Sequence, residues 1–118
     1  MTTSQHPPLY TTFVEITGWS LDRTAALPKS QRFTFGQRID NRTLDAVQLI
    51  VRAIYSARPK KAPLLAELNL VLEELRVLWR LVHDRRWISQ QQLFHIIGRL
   101  DEAGRMTGGW LASLSKDR

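Results

Sequence analysis

The sequence predicts an all-α fold, an antiparallel up-down four-helix bundle, and three observations carry the prediction. Along residues 63–86, Leu64, Leu68, Val71, Leu75, Leu78 and Val82 recur at alternating four- and three-residue steps, the seam spacing of a helix packed in a bundle. Turn signals at Pro28 and Pro59, and a capping-box pair at Ser89 and Gln92, cut the chain into stretches of roughly 18 to 25 residues, about 27 to 37 Å long as helices. Nowhere does the chain alternate apolar and polar residues as a half-buried strand does.

Residues 1–8 carry Ser4, Gln5, Pro7 and Pro8 without apolar periodicity and read as a disordered lead-in, leaving residues 9–118 as the single four-helix-bundle domain. The first helix, over about 9–27, is expected to bury Phe13, Ile16, Leu21 and Ala25 and to stop at Pro28, because a proline pushes the residue before it out of the α region. Residues 28–36 read as a turn with either Ser30 or Thr34 as N-cap of the second helix, Thr34 and Gln37 having capping-box spacing. That helix runs to Ser56 or Arg58 and is expected to bury Ile39, Val47, Ile50, Val51 and Ile54, with Arg38, Arg42, Asp45 and Arg52 grouped on a polar face. Arg58, Lys60 and Lys61 surround Pro59 in a tight basic connection, short enough to make the second and third helices antiparallel neighbours.

The third helix, over 63–86, is apolar over more of its circumference than one buried face requires, since Leu70, Leu72, Val77, Trp79 and Leu81 lie outside the seam. Such a helix is either central or faces another subunit. A polar row, Asn69, Glu73, Arg76, Arg80 and His83, occupies another side. The fourth helix starts at Ser89 and is expected to bury Leu93, Ile96, Ile97, Leu100 and Ala103 while presenting Gln92, His95, Arg99 and Glu102. Paired glycines usually end a helix, but Trp110, Leu111 and Leu114 keep the apolar spacing past Gly108 and Gly109. The reading is a continuing helix, with Gly104, Gly108 and Gly109 admitting a neighbouring backbone.

Composition narrows the function. The chain has 43% apolar and 24% charged residues, as soluble globular proteins do, and no run approaches the about 20 apolar residues of a membrane span. The start lacks the basic-then-apolar layout of a secretion signal, so a cytoplasmic protein is expected. Without cysteine there is no disulfide or thiol chemistry, and three scattered histidines make neither a zinc site nor the paired Glu-x-x-His of a bundle dimetal centre. Adjacent carboxylates at Glu73–Glu74 and Asp101–Glu102 point about 100° apart on a helix, and Glu73 with Arg76 and Asp101 with Arg105 have ordinary ion-pair spacings. No enzyme activity, metal or cofactor is expected, and a small nuclease or toxin is the least supported reading.

The net charge of +6 comes from 17 Lys and Arg against 11 Asp and Glu, and 13 of the 17 are arginine. Arginine grips phosphate with a planar fork, so the balance points to nucleic acid. The candidate contacts are Arg32, Arg38, Arg42, Arg58, Lys60, Lys61, Arg76, Arg80, Arg85 and Arg86. With the middle helices antiparallel, Arg85 and Arg86 fall near Arg32 and Arg38. The alternative is a solvated face paired with Glu73, Glu74 and Asp84, or a structural network along the row from Asn69 to Arg80. Trp19, Trp79, Trp87 and Trp110 sit beside apolar positions and read as core or interface anchors rather than base-stacking platforms.

Three segments carry a family resemblance: LPKSQRFTFGQRI at 27–39, LEELR at 72–76 followed by WRL at 79–81, and LDEAGRMTGGW at 100–110. They resemble the accessory variability determinant (Avd) proteins of diversity-generating retroelements, within a bundle group that includes the proteins encoded by intervening sequences of bacterial 23S ribosomal RNA genes. The likeness extends from about Tyr10 to Leu114 and is most specific at Gly-Arg-Met-x-Gly-Gly-Trp. It implies a noncatalytic, ring-like homopentamer that binds the retroelement's reverse transcriptase and template RNA, with DNA or an RNA/DNA hybrid as further ligands, in support of mutagenic cDNA synthesis and retrohoming. It also implies that the glycine-tryptophan ending serves close helix packing. The alternatives are a helical adaptor that binds only protein and an intervening-sequence-type bundle without a reverse transcriptase partner.

Overall fold

The computed structural model describes residues 6–116, so residues 1–5 of the expected lead-in lie outside the described residues. Four helices make up almost all of the rest: α1 (Pro8–Ala25), α2 (Gln37–Tyr55), α3 (Arg58–Asp84) and α4 (Gln90–Lys116), with no strand among the described residues. They pack as a bundle of 49 × 26 × 21 Å, in which α1 and α3 each contact both α2 and α4. α3 and α4, at 27 residues each, exceed the expected range.

α1 begins on Pro8, whose missing N–H lies in the first turn where no intrahelical partner exists. Its buried line is Leu9, Phe13, Ile16, Ser20 and Thr24. The expected Leu21 and Ala25 are exposed, because the inward stripe passes through small hydroxyl residues that an apolar reading skips. Thr24 Oγ1 donates to Asp40 Oδ1 at 2.7 Å and ties α1 to α2. Ser20 is 1% exposed and its Oγ has no partner among the described residues. An orphaned buried hydroxyl is a cost. Ser20→Ala is therefore expected to raise stability by about 1 kcal/mol in urea denaturation. A comparable loss would mean that Oγ is hydrogen-bonded in solution.

The connection to α2 is helical rather than open. A 3-10 turn at Lys29–Gln31 runs into a π-helical stretch at Arg32–Gly36 that merges with α2. This overturns both candidate N-caps. Ser30 lies within the 3-10 turn, and Thr34 is already inside helical backbone, where its hydroxyl donates back toward Gln31 O at 3.2 Å. α2 buries Ile39, Thr43, Ala46, Leu49, Ile50 and Ala53. Val51 is exposed, while Val47 and Ile54 are only half-buried, since the side facing the bundle is lined by smaller residues that let α2 approach closely.

The basic connection expected at 58–61 is the first turn of α3. Pro59 sits where a helix tolerates it, and only Ser56 and Ala57 join the two helices. Lys61 Nζ donates to Ala53 O at 2.6 Å and Ile54 O at 3.0 Å, carbonyls at the end of α2 that lack intrahelical donors. Along α3 the buried seam is Leu65, Leu68, Leu72, Leu75, Trp79 and Val82, with Val71 beside it. Leu64 and Leu78, expected within it, are half-buried. Leu72 and Trp79, placed outside the seam from sequence, are fully buried. Trp79 meets Trp19 edge-on at 5.4 Å, and Trp19 also contacts His95 at 5.1 Å, so α1, α3 and α4 share one aromatic contact.

α4 opens on the capping box: Gln92 N–H donates to Ser89 Oγ at 3.1 Å, and Ser89 N–H donates to Gln92 Oε1 at 2.9 Å. It buries Ile96, Leu100, Ala103 and Thr107, with Leu93 and Ile97 half-buried, and continues unbroken through Gly104, Gly108 and Gly109. Close approach, however, occurs only at Gly104, where a Cβ would stand 2.9 Å from an Arg76 guanidinium nitrogen. Gly108 and Gly109 face open space, which corrects the expectation of tight packing there within the chain.

Candidate nucleic-acid interface

The ten candidate cations separate by what each is bonded to. Arg76 is the most committed. Its Nε donates to Asp101 Oδ1 at 2.8 Å, Nη1 to Glu73 Oε1 at 3.0 Å and Nη2 to Leu100 O at 3.4 Å. Its side chain is 18% exposed and fastens α3 to α4, so a structural network forms at Glu73 and Arg76 of the anticipated row, while Arg80 of that row faces outward. Glu73 pairs with Arg76 at the expected spacing, but Asp101 turns to α3 rather than to Arg105.

Arg42 bridges Asp45 at 3.2 Å and Glu74 at 3.7 Å across α2 and α3. Lys61 caps α2, and Arg58 Nη2 donates to Leu114 O at 3.1 Å. These positions hold the bundle together. Arg99, not among the candidates, does the same on the other side by donating to Glu15 of α1 and to Glu102 at 2.7 Å.

The others point their charge outward. Arg38, Lys60, Arg80, Arg85 and Arg86 have no carboxylate partner among the described residues. Arg32 gives only its Nε, to Leu27 O at 3.3 Å. Four of these six collect at one end of the bundle, where the α1–α2 connection meets the α3–α4 turn. The meeting is fixed by Phe35 against Trp87, edge-on at 5.5 Å, with the Arg85 guanidinium 5.6 Å above the Trp87 ring. Arg32, Arg38, Arg85 and Arg86 therefore lie on or beside the two connections that this contact joins, and the exposed Lys29, absent from the sequence-derived set, adds a fifth cation in the first of them. Asp84, offered from sequence as a neutralising partner, forms no ion pair with them among the described residues. Lys60 lies in the first turn of α3, away from this end, and Arg80 lies on the outside of α3.

The turn that displays Arg85 and Arg86 has a defined geometry. Arg86 N–H donates to His83 O at 2.8 Å, and Trp87 N–H donates to Val82 O at 3.1 Å, with Arg86 at φ 64°. This is a Schellman closure with arginine at the left-handed position that glycine usually fills. A side chain there costs about 1 kcal/mol relative to glycine. Among the described residues, no hydrogen bond or ion pair of the Arg86 side chain holds any other element.

One further residue escaped the sequence reading. Phe33 is 84% exposed at this basic end, although Phe35 two positions on is packed beneath Trp87. Residues two apart on a helical backbone point to opposite sides, so the pair could not share one face. A shallow hollow of about 420 Å³ lies between Phe33, Arg38 and Leu78. Trp79 is in the core, and Trp19, Trp87 and Trp110 pack against it, as anchors rather than platforms.

Among the described residues, no three His, Asp or Glu side chains gather where a metal ion could bind, and no helix is long and apolar enough to cross a membrane. The fold and its charge thus define a small basic helical-bundle protein in which four of the six outward-facing candidate cations lie at one end. Residues 11–114 match the model of the bAvd-like family, and the chain belongs to that family as an Avd-type protein. The match bears out the resemblance carried by the three motif segments. No relative among curated proteins matches the chain.

Proposed function

We propose that this chain is the noncatalytic accessory protein of a diversity-generating retroelement, acting in the cytoplasm to hold the reverse transcriptase and its template RNA together for mutagenic cDNA synthesis and retrohoming. Membership of the bAvd-like family carries the reading. The end bearing Arg32, Arg38, Arg85 and Arg86 supports the nucleic-acid part, because cations without carboxylate partners release counterions when they meet phosphate.

The assembly proposed is a homopentameric ring of antiparallel up-down bundles. A cyclic ring is joined head to tail and needs two different patches on each subunit. Two outward apolar stripes are present. Leu70, Val77 and Leu81 on α3 are 68%, 45% and 43% exposed, and Leu44, Val51 and Tyr55 on α2 are 46%, 37% and 74% exposed. At 3.6 residues per turn, each set falls within an arc of about 40°.

The reading is tested by co-expression with the reverse transcriptase encoded beside this chain, followed by nuclease treatment in high salt and size-exclusion chromatography with light scattering. Co-elution at the mass of a pentamer plus one enzyme is the expected result. A pentamer that leaves the enzyme behind would favour the intervening-sequence type or a protein-only adaptor, and wild-type retrohoming after deletion of the gene would reject the function.

For the RNA contact, the double variant Arg85→Glu, Arg86→Glu is expected to weaken binding at least roughly tenfold. The log–log salt dependence should also become shallower by about 2, near one for each phosphate no longer neutralised. Lys60→Glu, at a distance from the cluster, serves as the control. An equal loss in that control would show that charge is read without regard to place.

A further inference from the structure

Phe33 stands in solvent more fully than any other large apolar side chain among the described residues. Its backbone is not a loose loop. The π-helical stretch Arg32–Gly36 runs directly into α2, Gly36 is buried, Phe35 is locked against Trp87, and Arg32 Nε is tied to Leu27 O. The fixed backbone therefore holds the ring uncovered at this end, and what surrounds it decides whether the exposure has a use.

Its surroundings indicate a use. Arg32 precedes it and Arg38 lines the same hollow, so the ring stands beside two cations. Beside it in the hollow are the amides of Gln37 and Asn41. An aromatic face, amide groups at its edge and flanking guanidinium groups are the three parts of a site for an unpaired base: stacking, hydrogen bonds to the base edge and contacts to the adjoining phosphates. Bases inside a duplex have both faces covered, and the deep narrow groove of A-form RNA keeps side chains away from their edges. Charge also disfavours covering the ring with the same end of a second copy, which would bring arginines against arginines.

We propose that Phe33 is a base-stacking platform and that the basic end of the bundle takes single-stranded RNA, with a base unstacked onto the Phe33 ring, in preference to duplex. The proposal rests on the reading that this protein binds RNA and names the form of RNA it engages.

The test uses the full chain with two probes, a short fluorescein-labelled single-stranded RNA of mixed sequence and a long RNA duplex of the same composition, each followed by anisotropy across a salt series. Phe33→Ala is expected to weaken single-strand binding by about fivefold to a hundredfold, to change duplex binding less than about twofold and to leave the salt slope unaltered. Phe33→Tyr, which keeps the aromatic face, retains single-strand affinity. Since the side chain is exposed, both variants are expected to fold, and their light-scattering mass is measured alongside. Unchanged single-strand affinity in Phe33→Ala, or equal losses on both probes, overturns the proposal. A changed mass or loss of the reverse transcriptase with RNA affinity intact also overturns it, and assigns Phe33 to a protein contact. A wild-type chain that binds neither probe refutes the underlying RNA reading instead.

Discussion

Val77→Glu converts the proposed ring to monomers of 13.7 kDa. Val77 lies mid-stripe on the outer face of α3, 45% exposed and one turn from Glu74. In the isolated subunit the change is mild, within about 0.5 kcal/mol, because the side chain already meets water. At a subunit contact it buries a carboxylate with no partner, a cost of several kcal/mol repeated at every junction of the ring. Leu44→Glu on α2 is expected to do the same through the other patch. The two variants also test the head-to-tail arrangement. Each keeps the patch that is disrupted in the other, so mixing them restores one contact and yields a heterodimer without rings. Light scattering of the single variants and the mixture distinguishes the cases. A pentamer that survives Val77→Glu removes the outer face of α3 from the interface.

Trp79→Ala is expected to cost about 3 to 5 kcal/mol, a large part of the stability of a domain this size. The side chain is the largest of those fully buried, and it fills the space where α1 and α3 meet through Trp19. Its removal leaves a cavity that straight helices close only in part. Chemical denaturation followed by circular dichroism measures the loss. A value below about 1 kcal/mol would show that the bundle collapses around the vacancy and that Trp79 does not set the spacing of its helices.

Sequence legibility followed the range of the interactions involved. The start of α4 could be read because Ser89 and Gln92 satisfy each other within one turn, and no tertiary contact is needed to form that box. The start of α3 was misplaced at Pro63 because the capping role of Lys61 depends on the carbonyls of a different helix. Thr34 had the right spacing for a cap, but the preceding residues were already helical, and that depends on Phe35 finding Trp87 from more than fifty positions away. The inward faces of α1 and α2 were shifted because Ser20, Thr43 and Ala46 are buried for their size rather than their hydrophobicity. At the candidate interface the excess of arginine was visible in composition. Which arginines pair with carboxylates was not, because Arg76 and Arg42 find partners on neighbouring helices as well as their own.

The notch at Gly104 makes two distant positions a single choice. A methyl group there would meet Nη2 of Arg76 at 2.9 Å and displace it from the Leu100 carbonyl, which it reaches at 3.4 Å. Alanine favours a helix over glycine by about 1 kcal/mol, so in α4 alone the exchange is an improvement. In the folded chain that gain is set against the α3–α4 fastening. Descendants of this sequence can therefore accept alanine at 104 most easily after position 76 has shortened.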